Sequence, residues 1–498
     1  MSWYLYIILA YLLVLMGFNL YRARQVKTQE DMMVAGRSLS VKVMVFTLIC
    51  TWIGSGTFIA GAEYAAKAGW SSLWLPAGAW VGIVLIFFLA GKIRTFGQYT
   101  IGDILEVRYG PAARLFGAIA LIISFTAIVS YQFRAGGYIL NVVTDGHMSV
   151  ATGQFLAAFF VIVFTAAAGM VAVAYTDLPN GIIIVLATLV SIPFVYHTAG
   201  GWDAARQALP AQHFAIINDT FGQHPALKAG GYFLATLMLL MGVQSMYQKF
   251  YSARTPREAR QAVVLWVIGT IFVETAVVAI AVFAAAHFWP QISEWLQSGG
   301  KDGMDPASIV LQAARYMVPP VIGVLLLGAA TAVVISTGMN YLLSPTTNIM
   351  RDMYQRFIDP DASQRTMVAL QKIMIVALGV VAYFLATRLV SVLEMSYFAY
   401  TVYGVAITPA LLAALAWKRA TRAGGLASIL SGTAVAVFLK VMTYVLPPEQ
   451  VPEGDPWGIP LIYPSLLISV VALVVVSYLT PPPSREELAP LFPDLKRE

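Results

Sequence analysis

The chain is 498 residues long, 59% hydrophobic and only 11% charged, with a mean hydropathy of +0.74. A soluble protein carries roughly 25% charged residues, and no water-soluble core hides so much apolar surface, so the membrane is the solvent of this chain. The net charge of +6 is scattered over many connectors, which excludes a nucleic-acid patch, and one cysteine, Cys50, excludes an intramolecular disulfide.

Residues 1–21 are apolar and reach Arg22 without a small-residue cleavage site. They read as a retained membrane helix and not as a signal peptide. A spanning helix needs about 20 predominantly apolar residues. After 3–21, such segments follow at 41–66, 72–90, 113–143, 151–174, 179–198 and 230–250. Six more lie at 262–288, 319–350, 367–388, 393–417, 425–445 and 460–480. The expectation is an all-α polytopic membrane protein of about thirteen transmembrane helices.

The connectors give an independent check. Odd-numbered loops hold Arg22, Arg24, Lys27, Arg37, Lys42, Lys92, Arg94, Arg108 and Arg114, and later Lys249, Arg254, Arg257 and Arg260. Arg351, Arg356, Arg365, Lys372, Lys418, Arg419, Arg422, Arg485, Lys496 and Arg497 continue the series, whereas even loops hold only Lys67, Arg206, Lys228, Lys301, Arg315 and Arg388. Basic residues stay cytoplasmic during insertion, which puts the N-terminus outside and the C-terminus inside the cell (inner) membrane. The outer connectors 199–229 and 289–318 read as partly ordered caps. Residues 1–480 are expected to form one membrane domain, and 481–498 a short cytoplasmic tail. Without a Walker A sequence, ATP is not the expected energy source. There are no paired carboxylates, nucleophile elbow or His-Glu-x-x-His sequence, so no enzyme is expected, and the histidines lack metal-ligand spacing.

Two spans carry interruptions. In the second, Gly54-Ser55-Gly56-Thr57 sits at mid-membrane depth, where helix propensity is poor. Unwound backbone at that depth must line a cavity or be buried in protein, and its freed carbonyls suit a hard cation such as Na⁺. The alternative is that the glycines only let helices pack closely. The seventh span is interrupted around Met241-Gly242-Val243-Gln244. Two broken helices five spans apart are the pattern of a 5+5 inverted repeat. Helices two to six form one half and seven to eleven the other, with the core at about 41–417.

Several stretches together resemble one family. They are Ala35-Gly-Arg-Ser-Leu39, Thr51-Trp-Ile-Gly-Ser-Gly56, Thr100-Ile-Gly-Asp-Ile-Leu-Glu-Val-Arg-Tyr-Gly110 and Ala174-Tyr-Thr-Asp177 with Gly181. Tyr247-Gln-Lys-Phe-Tyr-Ser-Ala253, Ser336-Thr337 and Asn348-Ile-Met-Arg-Asp-Met-Tyr354 complete the set. The chain resembles the sodium/solute symporter family, which has the LeuT-type inverted-repeat fold. The resemblance implies a sodium site made of the Cys50, Ile53 and Val333 carbonyls with the Ser336 and Thr337 hydroxyls. Vicinal Ser-Thr in a membrane helix also back-bonds to the preceding turn. Some members resemble one another in a second sodium site, whose aspartate is matched by Asp177. Its hydroxyl positions fall on Met339 and Asn340, a departure that leaves a role as helix N-cap ahead of Pro179 open for Asp177.

In this fold the solute lies beside the breaks, and the candidate contacts are Trp52, Ser55, Gln132, Gln244, Tyr247, Tyr400 and Thr401, with ordinary helix packing as the alternative for each. Arg134 and Lys440 are charges inside spans. Arg134 either meets a substrate carboxylate or snorkels to the outer surface; Lys440 is read as structural and Glu63 as a gate partner. The resulting expectation is a monomer in the lipid bilayer that imports a small organic solute by sodium-coupled alternating access. The solute is choline-like, an amino acid, a carboxylate or a sugar; Thr51-Trp-Ile-Gly-Ser-Gly56 with Ala174-Tyr-Thr-Asp177 resembles the choline-transporting branch. The alternatives are proton-coupled symport, for which Asp177 and Glu63 are the available groups, and a solute sensor built on a transporter fold.

Overall fold

A computed structural model describes residues 3–24, 28–97, 99–218, 220, 224–388 and 391–492. Among the described residues the secondary structure is helical, with a single isolated bridge between Leu39 and Ala253. Among the described residues, eleven helices are long and apolar enough to cross a membrane, and Trp3–Phe18 and Val41–Trp52 are shorter apolar helices. The second expected span falls short because it is broken, and its later part runs on through a tight turn into Trp74–Phe96.

The two breaks are where the glycine-rich and Gly-Val sequences put them. Val41–Trp52 ends at an extended Ile53 (φ −76°, ψ 93°), and the chain resumes as one wide helical turn, Gly56–Gly61, leading into Ala62–Ala68. Pro225–Gly242 ends at an extended Val243 (φ −68°, ψ 117°), and Gln244–Ser252 follows. Backbone groups released in a membrane interior need partners. At the second break they find them: the Tyr403 hydroxyl donates to the Gly242 carbonyl at 2.7 Å, and the Tyr247 hydroxyl to the Met241 carbonyl at 3.0 Å.

Around the breaks, Pro320–Asn348 packs against Val150–Thr198 and Pro111–Val143, and Val392–Ala406 packs against Pro225–Gly242 and Pro111–Val143. Arg422–Val445 and Ile462–Leu479 pack chiefly on each other at the periphery and expose Phe438, Val441, Leu467 and Val471, as a lipid-facing surface does.

Three local expectations change. The fifth and sixth expected spans lie in one continuous run, Val150–Thr198, which contains the candidate spans Val150–Ala167 and Ala174–Thr198. The helix passes through Pro179, so Asp177 is an interior residue and not an N-cap. Lys249, Arg108 and Arg114, read as connector residues, are buried, Lys249 completely. Each meets oxygen acceptors inside the protein, which is what a buried cation requires. Lys27, Lys496 and Arg497, also used for the orientation, lie outside the described residues.

Candidate functional site

The first break and the Pro320–Asn348 helix meet through hydroxyls. Thr337 Oγ1 donates to the Cys50 carbonyl at 2.8 Å and lies 3.3 Å from the Ile53 carbonyl. Ser336 Oγ lies 3.4 Å from the same Cys50 carbonyl and donates to Asp177 Oδ1 at 2.7 Å. A buried carbonyl left without a partner costs about 1–3 kcal/mol, so the loosened backbone depends on these hydroxyls. Gly54 makes the approach feasible: a Cβ there would fall 2.7 Å from Thr337 Cγ2 and 3.1 Å from Gln132 Nε2. Cys50, Ile53, Val333, Ser336 and Thr337 are all buried. Neutral oxygens gathered at one point suit a desolvated monovalent cation, and among the described residues no cluster of three or more His, Cys, Asp or Glu offers a competing metal centre.

Asp177 adjoins this group. Its carboxylate also accepts from Thr47 Oγ1 at 2.5 Å and from Asn340 Nδ2 at 3.2 Å, and its backbone carbonyl accepts from the Cys50 thiol at 3.2 Å. Lys249 Nζ donates to Asn340 Oδ1, so one amide side chain joins a buried ammonium to a buried carboxylate. The motif containing Lys249 is visible in the sequence, but its burial is not, because neighbours such as Gln248, Ser252 and Arg254 make it look like a loop.

The other side of the same break faces a cavity. Trp52, Gly56, Thr57 and Gly61 line it together with Leu75, Pro76, Thr236, Glu274, Val278 and Tyr400, around about 380 Å³ of non-atom space. Among the described residues its one charged lining residue is Glu274, buried on the Pro256–Gln297 helix. The carboxylate accepts from Trp52 Nε1 at 3.0 Å, Trp80 Nε1 at 2.7 Å and Thr57 Oγ1 at 3.3 Å. Ser55, between the carbonyls of the first group and the cavity wall, gives its hydroxyl and its N–H to Gln132 Oε1 at 2.7 and 3.1 Å. A single stretch of unwound chain thus touches both places.

The bundle is unequal at its two ends. At one end Arg114 donates to Asp352 and Asp103 at 2.9 and 2.8 Å and to Glu106 at 2.5 Å, while Thr100 and Asn348 also donate to Asp352. Burial favours protonation of Glu106, but Arg114 and Arg356 outweigh it and hold the carboxyl below the usual carboxylate range. Gly102 lies against the Asp352 carboxylate with no room for a Cβ. At the opposite end lies a wide vestibule lined by Glu63, Lys67, Arg134, Tyr138 and Asp305 among others. There Glu63 pairs with Lys67 at 2.6 Å and accepts from Ser391 and the Leu393 N–H, linking the broken second helix to the eleventh expected span.

The solute candidates therefore separate. Trp52 and Tyr400 line the cavity, and Tyr400 reaches Tyr131, the two hydroxyls 3.3 Å apart. Ser55 and Gln132 pair with each other behind it. Gln244 belongs instead to the charged end, where it bonds Asn348 and the Ile101 N–H, and Tyr247 bridges its own break. Thr401 is buried without lining the cavity. Arg134 stands in the vestibule wall, 5.4 Å from the Tyr138 ring, and Lys440 lies over Phe398 and Tyr444. The sequence reading missed Glu274, Trp80 and Thr57. Glu274 was open to detection, since a lone carboxylate in the apolar run 262–288 stands out by the same test that found Arg134.

Comparison with known proteins agrees with this architecture. The model of the sodium:solute symporter family matches residues 32–432. The High-affinity proline transporter PutP of Bacillus subtilis is 26% identical over 448 residues, covering 86% of this chain and 89% of that protein. The High-affinity choline transporter 1 of Caenorhabditis elegans is 25% identical over 424 residues, covering 83% of this chain and 71% of its own. Among solved structures, that of a Na⁺-coupled sialic acid symporter superposes with a TM-score of 0.76 at 16% identity, over 96% of this chain and 98% of the other. Mhp1, a nucleobase-cation-symport-1 family transporter, superposes with a TM-score of 0.58 at 12% identity, over 93% and 98%. With the fold shared and most of the chain matched, this protein belongs to the sodium:solute symporter family and couples the movement of a small organic solute across a membrane to that of Na⁺.

Proposed function

We propose that Na⁺ binds among the Cys50, Ile53 and Val333 carbonyls and the Ser336 and Thr337 hydroxyls, and that the solute binds in the Glu274 cavity. The observation that carries this reading is the shared break. Cys50 and Ile53 present carbonyls to Thr337 while Trp52, Gly56 and Thr57 form cavity wall. An ion that fixes the first set fixes the second, and each ligand then raises the affinity of the other by the same factor.

In this reading the chain has thirteen spans, with its N-terminus outside and its C-terminus in the cytoplasm of a cell whose plasma (inner) membrane it occupies. The vestibule end opens outward and the Arg114–Asp352 end seals the inside. Sodium and solute enter from the vestibule, the Glu63 contacts to Ser391 and Leu393 tighten over them, and the Arg114 cluster parts. Low internal sodium then releases both, and the monomer returns empty. Asp177 and Asn340 are candidates for a second ion, but the ammonium of Lys249 already lies against Asn340, so we propose one sodium per cycle. Of the solute contacts, we assign Trp52 and Tyr400 directly, and Ser55 and Gln132 as supports of the break. Gln244, Tyr247 and Thr401 support the helices around it.

The test is uptake into proteoliposomes under an imposed gradient of one ion at a time. An inward sodium gradient at equal pH is expected to drive accumulation. Accumulation driven by a proton gradient without sodium contradicts the proposal.

A further inference from the structure

We infer that the Glu274 carboxylate is the counter-ion for a cationic ammonium group on the transported solute, and that this site disfavours solutes that also carry a carboxylate. This inference rests on the proposed use of the cavity as the solute site.

A carboxylate in a membrane interior is costly and requires compensation. Glu274 is 3% exposed. Its neighbours supply two indole N–H groups and one hydroxyl. Indole nitrogens only donate, so both carboxylate oxygens are held as acceptors, which is the complement of an ionised group. Hydrogen bonds alone leave the negative charge uncancelled. Among the described residues no basic side chain lines the cavity. Buried cations elsewhere in the described fold have their own acceptors, as Lys249 has Asn340 and Arg114 has Asp352, Asp103 and Glu106.

A positive charge carried by the ligand would complete a site whose described neighbours are donors without charge. The cavity wall suits an organic cation more than a bare ion. Trp52 and Tyr400 present aromatic rings, and Leu75, Pro76 and Val278 present aliphatic surface. Aromatic faces attract ammonium groups, including fully methylated ones that cannot donate hydrogen bonds. A small inorganic cation would instead demand several oxygens at short range, and here Glu274 and Thr57 are accompanied mainly by carbon. A zwitterion would bring a carboxylate into a cavity whose described lining holds the Glu274 carboxyl and no cation to receive it.

The experiment uses the purified full-length protein in saturating sodium and three probes matched in shape. These are choline, its neutral carbon isostere 3,3-dimethylbutan-1-ol, and glycine betaine, which keeps the quaternary head and adds a carboxylate. Binding is read as a thermal shift and by calorimetric titration, and the sodium-induced shift is recorded separately without any probe. Choline is expected to bind, with the isostere and glycine betaine weaker by about 30-fold or more. E274Q is expected to lose choline binding by a similar factor while keeping the sodium shift, and E274D to recover part of the affinity because it keeps the charge. If E274Q does not fold, the probe series on the unaltered protein together with E274D still decides the question.

Equal binding of the isostere or of glycine betaine overturns the inference, as does undiminished choline binding by E274Q or no binding of choline at all. Loss of the sodium shift in E274Q would place Glu274 in the ion site and also overturn it. Loss of the sodium shift in the unaltered protein would instead strike the sodium reading, so the two failures are distinct.

Discussion

The ammonium of Lys249 donates to the side-chain oxygen of Asn340. Through the nitrogen of that same amide it is tied to Asp177, so a tethered cation sits beside the carboxylate at which a second ion is expected. With one sodium per cycle, as proposed, uptake should depend on sodium with a Hill coefficient of about 1. Lys249→Gln keeps a donor for Asn340 but removes the charge and leaves Asp177 without its nearby cation. The expected outcome is a steeper sodium dependence, approaching a coefficient of about 2, as a second ion takes the vacated place. An unchanged slope in this variant would mean that Lys249 does not substitute for an ion.

Gly54→Ala tests the close approach at the break. The added methyl would lie 2.7 Å from Thr337 Cγ2, and overpacking of this kind costs about 1–3 kcal/mol. Much of that cost falls on the carbonyl–hydroxyl contact, so apparent sodium affinity should fall roughly 5- to 150-fold. Sodium titration of the thermal shift measures it. Gly17→Ala, where nothing lies within 4 Å, is the control and should leave affinity unchanged.

Arg114→Ala removes the centre of the charged end. It strands Asp352, whose side chain is fully buried, along with Asp103. Removing one partner of a buried ion pair costs about 3–5 kcal/mol. The variant should melt earlier and leak solute downhill without sodium. Arg114→Lys should rescue it only partly, since one ammonium cannot reproduce the forked contacts to Asp352, Asp103 and Glu106. Wild-type melting in Arg114→Ala would remove the cluster from any gating role.

Tyr400→Phe deletes the hydroxyl that stands 3.3 Å from Tyr131 and against Gly56 while keeping the ring that lines the cavity. Solute affinity should change less than about fivefold, whereas Tyr400→Ala, which removes the aromatic face, should lower it by about tenfold or more. Concentration dependence of uptake separates the two. Equal effects would put the hydroxyl, not the ring, in charge of the contact.

Much of this fold is legible in the sequence because membrane insertion imposes simple rules. Long apolar runs mark helices, and glycine with small polar residues at mid-depth marks a break, so Gly54–Thr57 and Gly242–Gln244 both fall at real interruptions. Ser336 and Thr337 also meet Cys50 and Ile53, although nearly 300 positions separate them. That meeting came from resemblance to a family; no local periodicity specifies it. Charge was the weaker guide. Lys249, Arg108 and Arg114 look like connector residues because sequence shows a charge but not the acceptor waiting across the fold. Glu274 was overlooked for the complementary reason. Its donors, Trp52, Thr57 and Trp80, come from two other helices, and only their convergence shows that the carboxylate belongs to a site.

The sodium assignment is tested most directly by sodium-induced stabilisation of the double variant Ser336→Ala/Thr337→Ala. Binding to the folded state at a hundredfold excess over Kd contributes about 2.7 kcal/mol, a shift readily seen in the unaltered protein. The account predicts that the double variant stays folded in sodium-free buffer, melts somewhat earlier because the Cys50 and Ile53 carbonyls lose their donors, and gains no stability from sodium. A full sodium-dependent rise in Tm, with undiminished sodium-driven uptake, would contradict it.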